Sequence, residues 1–287
     1  MTRFFRRLLS AIVMWAIALY VIFSQNEVIF LLLIGSLGLA GLGEYLAMLR
    51  QANRPALPRL AWVLGIAYYV GLTACYHYHP SVSVDDFEGI LGAVFFFAAF
   101  LWYVRKPADE AIPLEGAANT LFGLVYTVWL FGFLTKLVYL YPRDAEHHTV
   151  GQFYVLYLVL VAKFSDMGAY LVGSRLGRHR MVPHISPAKT WEGFAGSLIF
   201  ALFGSYLLVY LLPHEFARLG WAHPGILAIL IGLAAVLGDL SESLIKRKMN
   251  VKDSGSALPG IGGILDLIDS LLFTAPVLYL YLKFFVP

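Results

Sequence analysis

Apolar residues in this chain fall in nine long runs, roughly 8–24, 28–49, 60–78, 89–104, 118–141, 152–173, 194–212, 225–245 and 265–285. An α-helix needs about 20 mostly apolar residues to cross a bilayer core. Short clusters of Pro, Gly and charged residues separate the runs. The pattern predicts an all-α, polytopic integral membrane protein with about nine transmembrane helices. The spans use nearly all of the 287 residues, so no sizeable soluble domain fits between them. The first run follows Arg3, Arg6 and Arg7 and resembles the apolar region of a signal peptide. No small-residue cleavage site follows it, so it reads as a retained anchor.

Basic residues alternate between loops in the way that orients membrane proteins. The N-terminus carries its three arginines, and the second-to-third loop carries Arg50, Arg54 and Arg59. Later loops on that side hold Arg105 and Lys106, then Arg175, Arg178, Arg180 and Lys189, then Lys246, Arg247, Lys248 and Lys252. The intervening loops are poor in base: Gln25–Glu27, the acidic Asp85–Glu88 stretch, Pro142–Val150 with Arg143 alone, and Pro213–Pro224 with Arg218 alone. This places the N-terminus in the cytoplasm and the C-terminus on the far side. A bacterial inner (plasma) membrane is the expected location, with the functional face toward the cytoplasm.

Composition changes the picture little. The chain is 60% hydrophobic and 14% charged, against about 25% charged in a soluble domain. Cys75 is the sole cysteine, which excludes a disulfide within the chain and a thiolate metal site. No feature points to nucleic acid.

The acids inside the spans are more informative. A carboxylate at membrane depth is costly and needs a partner or a task. Asp166 and Asp239 each precede a cytoplasmic helix end by about two turns, and Asp266 and Asp269 open the last span. At about 1.5 Å rise per residue, all four fall near one depth. Asp266 and Asp269 share a face at i, i+3, as do Asp239, Glu242 and Ser243 at i, i+3, i+4. Acids at a helix N-terminus have a plain explanation, the macrodipole. The Pro259-Gly260-Ile261-Gly262-Gly263 run before them points further, because glycines let backbone N–H groups approach an anion. Acids beside such a loop suit Mg²⁺, which takes one or two carboxylates and completes its shell with phosphate oxygens and water. A second cation is compatible with the number of acids. Glu44, inside the second span, should face the interior, and an interhelical hydrogen bond is its plain explanation.

The sixth-to-seventh loop is also suggestive. It runs from Lys163-Phe164-Ser165-Asp166 to His184-Ile185-Ser186-Pro187-Ala188-Lys189-Thr190-Trp191-Glu192-Gly193. Its bases either hold anionic headgroups or meet a nucleoside triphosphate. Ser186, Lys189 and Thr190 are phosphate-contact types.

Together these motifs resemble the signature of the phosphatidate cytidylyltransferases. The resemblance is carried by Ser243-x2-Lys246-Arg247-x4-Lys252-Asp253-x-Gly255-x3-Pro259-Gly260-x-Gly262-Gly263-x2-Asp266-x2-Asp269. Gly238-Asp239-Leu240, Asp166-x-Gly168-Ala169-Tyr170 and Ser186-x2-Lys189-Thr190-Trp191-Glu192-Gly193 extend it upstream. The family typically has His where this chain has Ile261, and Arg where it has Leu267. The resemblance implies Mg²⁺-dependent reaction of CTP with phosphatidic acid, giving CDP-diacylglycerol and pyrophosphate. It implies a catalytic set of Asp239, Lys246, Arg247, Lys252, Asp253, Asp266 and Asp269, with Asp239, Asp266 and Asp269 at the metal. It implies substrate contacts from Asp166, Ser186, Lys189, Thr190, Ser243, Gly260, Gly262 and Gly263. Residues 151–287 would then be the catalytic region with cytoplasmic loops, and residues 1–150 a scaffold of about five spans. Membrane lipids are the expected surroundings, and a homodimer is compatible with this organisation. Two alternatives stay open: a CTP-dependent enzyme acting on another lipid or polyprenol phosphate, and a non-catalytic lipid-binding or transport paralogue.

Overall fold

The computed structural model describes residues 3–77, 82–105, 114–141, 150–258 and 262–286. Helices dominate it: α1 (Arg3–Phe23), α2 (Glu27–Gln51), α3 (Pro58–His77), α4 (Val84–Val104), α5 (Leu114–Gly123), α6 (Leu130–Val138), α7 (Val150–Leu176), α8 (Trp191–Leu211), α9 (His223–Lys248) and α10 (Leu265–Phe285). A π-helical stretch, Leu124–Trp129, joins α5 to α6, and Leu114–Val138 forms one span. Among the described residues, eight helices are long and apolar enough to cross a membrane. The first expected span falls on α1, whose apolar part, Leu8–Phe23, is shorter. The chain is an all-α polytopic integral membrane protein.

Two departures from the sequence reading concern loops. The Asp85–Glu88 stretch is not a loop but the start of α4, capped by Ser83 Oγ accepting from Asp86 N at 3.0 Å. Glu88 then meets a buried cation, for Lys136 Nζ lies 2.6 Å from its Oε1 and Tyr68 Oη donates to it at 2.9 Å. The sixth-to-seventh loop contains an antiparallel hairpin of β1 (Arg180–Val182) and β2 (Ser186–Thr190). Glu192 ties it down by accepting from Arg178 N, His179 N and His179 Nδ1. Thr190 Oγ1 then caps α8, accepting from Gly193 N at 3.1 Å.

α10 is the central helix. It packs against α9, α6, α7 and α2, burying Leu265, Ile268, Leu272, Ala275, Leu278 and Leu282. Small residues let the helices approach. A Cβ on Gly238 of α9 would lie 2.6 Å from the Asp269 carbonyl oxygen of α10. Glycines also face one another between α7 and α8, at Gly168 and Gly196. Among helices in lipid, where apolar burial gives little driving force, such close packing is a main source of association. Outward residues such as Phe97 and Tyr210 are large, apolar and exposed, as a hydrocarbon surrounding requires.

Candidate active site

A cavity of about 610 Å³ opens among α7, the β-hairpin, α8, α9 and the start of α10. Asp166, Asp239, Asp266 and Asp269 all line it, so the four acids expected at one depth do meet. Ser186, Lys189 and Thr190 reach it from β2. Glu242 and Lys246 complete its α9 wall.

Asp239, Glu242 and Asp269 offer ligand atoms within 4.8 Å of one another. Glu242 and Asp269 are buried, and Asp239 is more open. Glu242 Oε2 accepts from Lys246 Nζ at 2.6 Å, while its Oε1 is buried without a hydrogen-bond partner among the described residues. An unsatisfied carboxylate oxygen beside two further acids fits a divalent cation, which prefers hard oxygen donors. The charge balance agrees. Five carboxylates and three lysines line the cavity, leaving two formal negative charges for a cation to offset.

Asp266 stands beside Glu242, sharing the Lys246 ammonium with it, but outside the group of three. Its Oδ1 accepts from Lys246 Nζ at 2.7 Å, and its Oδ2 accepts from Gly263 N at 2.7 Å and Ser254 N at 3.2 Å. The cluster therefore groups Asp239 and Asp269 with Glu242, whereas the sequence reading grouped them with Asp266. That reading put Glu242 on the right face but gave it no role. The i, i+4 spacing to Lys246 and the depth of Glu242 were the available signals.

The glycine loop is held from the other half of the chain. Glu44 of α2 accepts from Ile264 N (Oε1, 2.8 Å), Leu265 N (Oε2, 2.8 Å) and Ser254 Oγ (Oε2, 3.0 Å). The first N–H groups of a helix have no partner within it, and α10 has no side-chain cap of its own. A carboxylate from a distant span supplies it. The Glu44 side chain would lie within 2.4 Å of a Cβ placed on Gly255 or Gly263, so both must stay bare. Gly262, at φ +132°, occupies backbone space open to glycine.

The remaining candidates are less central. Lys189 Nζ pairs with Asp239 at 2.6 Å, and Lys163 Nζ pairs with Asp166 at 3.1 Å. Arg247 Nε points at the Ile185 carbonyl, 3.5 Å away in the hairpin turn. Ser243, Arg247, Lys252, Asp253, Gly262 and Gly263 do not line the cavity, and Lys252 and Asp253 are exposed. Gly260 and Ile261 lie outside the described residues. Lys163 and buried Ser165 line the cavity, and the sequence reading gave neither a role.

A sunken pocket of paired acids and lysines beside a glycine-wrapped helix start has the donor types that could hold phosphates and a cation. Comparison with known proteins gives the family. A profile described as the cytidylyltransferase family matches residues 5–285. The chain belongs to that family. It is 31% identical over 284 residues to a phosphatidate cytidylyltransferase of Bacillus subtilis, covering 98% of each chain. It is 30% identical over 293 residues to a phosphatidate cytidylyltransferase of Haemophilus influenzae, covering 98% of this chain and 99% of the other. It is also 36% identical over 169 residues to an uncharacterized Escherichia coli protein, YnbB, covering 59% of this chain and 52% of the other.

Proposed function

We propose that this protein transfers a cytidylyl group from CTP to phosphatidic acid, at the cytoplasmic face of a bacterial inner membrane. A phosphate oxygen of the lipid attacks the α-phosphorus of CTP. A new P–O bond forms, the bond to the α,β-bridging oxygen breaks, and pyrophosphate leaves with that electron pair. The products are CDP-diacylglycerol and pyrophosphate. A phosphate monoester is already largely a dianion near neutral pH, so the nucleophile needs little help from a base. Catalysis is then alignment and charge neutralisation.

The observation that carries the reading is the cluster of Asp239, Glu242 and Asp269, with its unpartnered Glu242 Oε1, in a lysine-lined cavity. Those three residues would hold Mg²⁺. The bound ion would reduce repulsion between the triphosphate and its attacker and offset charge on the leaving pyrophosphate. Lys189 and Lys246 lie where phosphate oxygens would need donors, and Arg247 and Lys252 extend that positive charge outward. Ser186, Thr190 and Asp166 are assigned to the nucleotide side. Asp266 positions Lys246 and the glycine loop. The alternation of basic loops supports the cytoplasmic orientation.

The test is pyrophosphate release by detergent-purified protein given CTP, phosphatidic acid and Mg²⁺, with Glu242→Gln and Asp269→Asn beside it. Release should need all three components and fall at least about a hundredfold in Asp269→Asn. Glu242→Gln should raise the Mg²⁺ concentration for half-maximal rate. CTP binding without release from phosphatidic acid would move the reading to another lipid phosphate. Turnover that ignores both substitutions would remove the cluster from the reaction.

A further inference from the structure

A second cavity, of about 260 Å³, lies between α1, α2, α6, α7 and α10. Trp15, Ile34, Phe131, Val159 and Leu271 are among its walls, and every lining residue but one is apolar. The exception is Lys163, which also lines the polar cavity. The two spaces therefore share one wall residue, and it is a cation. Its ammonium has three donors, and its contact with Asp166 Oδ2 occupies one of them.

The start of α10 separates the two environments. Consecutive helical residues point about 100° apart. Asp266 lines the polar cavity, while the next residue, Leu267, lines the apolar one with Ile268 and Leu271. Asp269 returns to the polar side. A leucine at position 267 keeps the apolar slot free of charge on its α10 side.

We infer that this groove holds one hydrocarbon chain of the lipid phosphate, and that Lys163 at its polar end binds the phosphate. The inference rests on the cytidylyltransferase reading above. A lipid phosphate needs an apolar slot that ends at a cation beside the reacting groups. The groove and Lys163 together have that form. On phosphate arrival the Lys163 ammonium donates to it while its contact with Asp166 loosens.

The test has an arm that needs no turnover. Wild-type protein is photolysed with phosphatidic acid carrying a diazirine on one acyl chain, with and without excess dioleoyl phosphatidic acid. Competable crosslinks should map to α1, α2 and α10 residues of the groove. Crosslinks confined to other surfaces, or unaffected by competitor, would overturn the inference whether or not the protein turns over. The kinetic arm compares Lys163→Met, Lys163→Arg and Ile34→Trp. Lys163→Met should raise the lipid KM about tenfold or more, with the CTP KM within about twofold, and Lys163→Arg should recover most of the loss. Ile34→Trp should raise the KM for dioleoyl but not dihexanoyl phosphatidic acid, by about tenfold, the loss expected when a pair of methylenes is no longer buried. An unchanged lipid KM in both Lys163→Met and Ile34→Trp would refute the site. Absence of wild-type turnover with groove crosslinks intact would instead refute phosphatidic acid as the cytidylyl acceptor.

Discussion

Replacing Glu44 by alanine removes the acceptor for Ile264 N, Leu265 N and Ser254 Oγ at once. Hydrogen bonds to a charged group contribute about 1.5–3 kcal/mol each, so even the low end gives roughly 4.5 kcal/mol for the set. Water reaching the half-buried loop would return part of that. The expected outcome is a fall in turnover of about 10–100-fold, as Asp266 and the lysine it holds lose their fixed start of α10. Glu44→Gln keeps one carbonyl oxygen but turns an amide NH₂ toward donors, so its loss should be intermediate. Pyrophosphate release reads the activity. Amide hydrogen exchange at Ile264 and Leu265 reads the loop directly and should speed up in both variants. Cys75 is the sole cysteine and is buried, so its labelling by a thiol dye reports global unfolding and should stay slow. Wild-type turnover and wild-type exchange in Glu44→Ala would refute the assignment. Rapid Cys75 labelling would reassign Glu44 to global stability.

Two further substitutions test the packing that presents the site. Gly238→Val places a side chain where a Cβ alone would lie 2.6 Å from the Asp269 carbonyl. α9 must retreat from α10, and turnover should drop at least about tenfold, while Gly89→Ala, in open space, should change nothing. Lys136→Met leaves Glu88 as a mostly buried carboxylate without its cation, with Tyr68 Oη as a remaining donor. It should cost about 3–5 kcal/mol of stability, read as a lowered unfolding temperature, and adding Glu88→Gln should recover part of it. No recovery in the double variant would mean that the pair is not coupled.

The spans were legible because hydropathy tracks the cost of placing each side chain in hydrocarbon, a local property of the chain. Helical spacing added that Asp239 and Glu242 share a face. Depth counting brought Asp166, Asp239, Asp266 and Asp269 to one level, and one cavity does gather them. What stayed hidden depends on partners. Glu88 looked like loop charge because its partner, Lys136, lies on another span. Glu44 was legible as an interior residue with an interhelical hydrogen bond, but not as the cap of a helix more than 200 residues away. The β-hairpin was missed because its two strands, of three and five residues, are too short for a period to register. That Glu242 rather than Asp266 completes the group of three was equally invisible, since i, i+3 spacing fixes a face but not which neighbour a carboxylate meets.

The pairing of charges inside the cavity constrains how ligands enter it. Each lysine there is already engaged: Lys163 with Asp166, Lys189 with Asp239, and Lys246 with Glu242 and Asp266. A triphosphate entering the site as built would meet five carboxylates and lysines occupied by them. A cation on the acids would leave the lysines freer to turn to phosphate, so under the proposed function nucleotide and cation should each strengthen binding of the other. The Lys189–Asp239 contact isolates this argument, because removing the acid frees one lysine and deletes one repulsive charge. Asp239→Asn should therefore bind CTP several-fold more tightly than wild type in EDTA, while losing turnover with Mg²⁺ present. Isothermal titration in EDTA measures the first effect, and pyrophosphate release the second. Weaker CTP binding by Asp239→Asn in EDTA would show that Lys189 is not held in reserve by its carboxylate, and the coupling would need another origin.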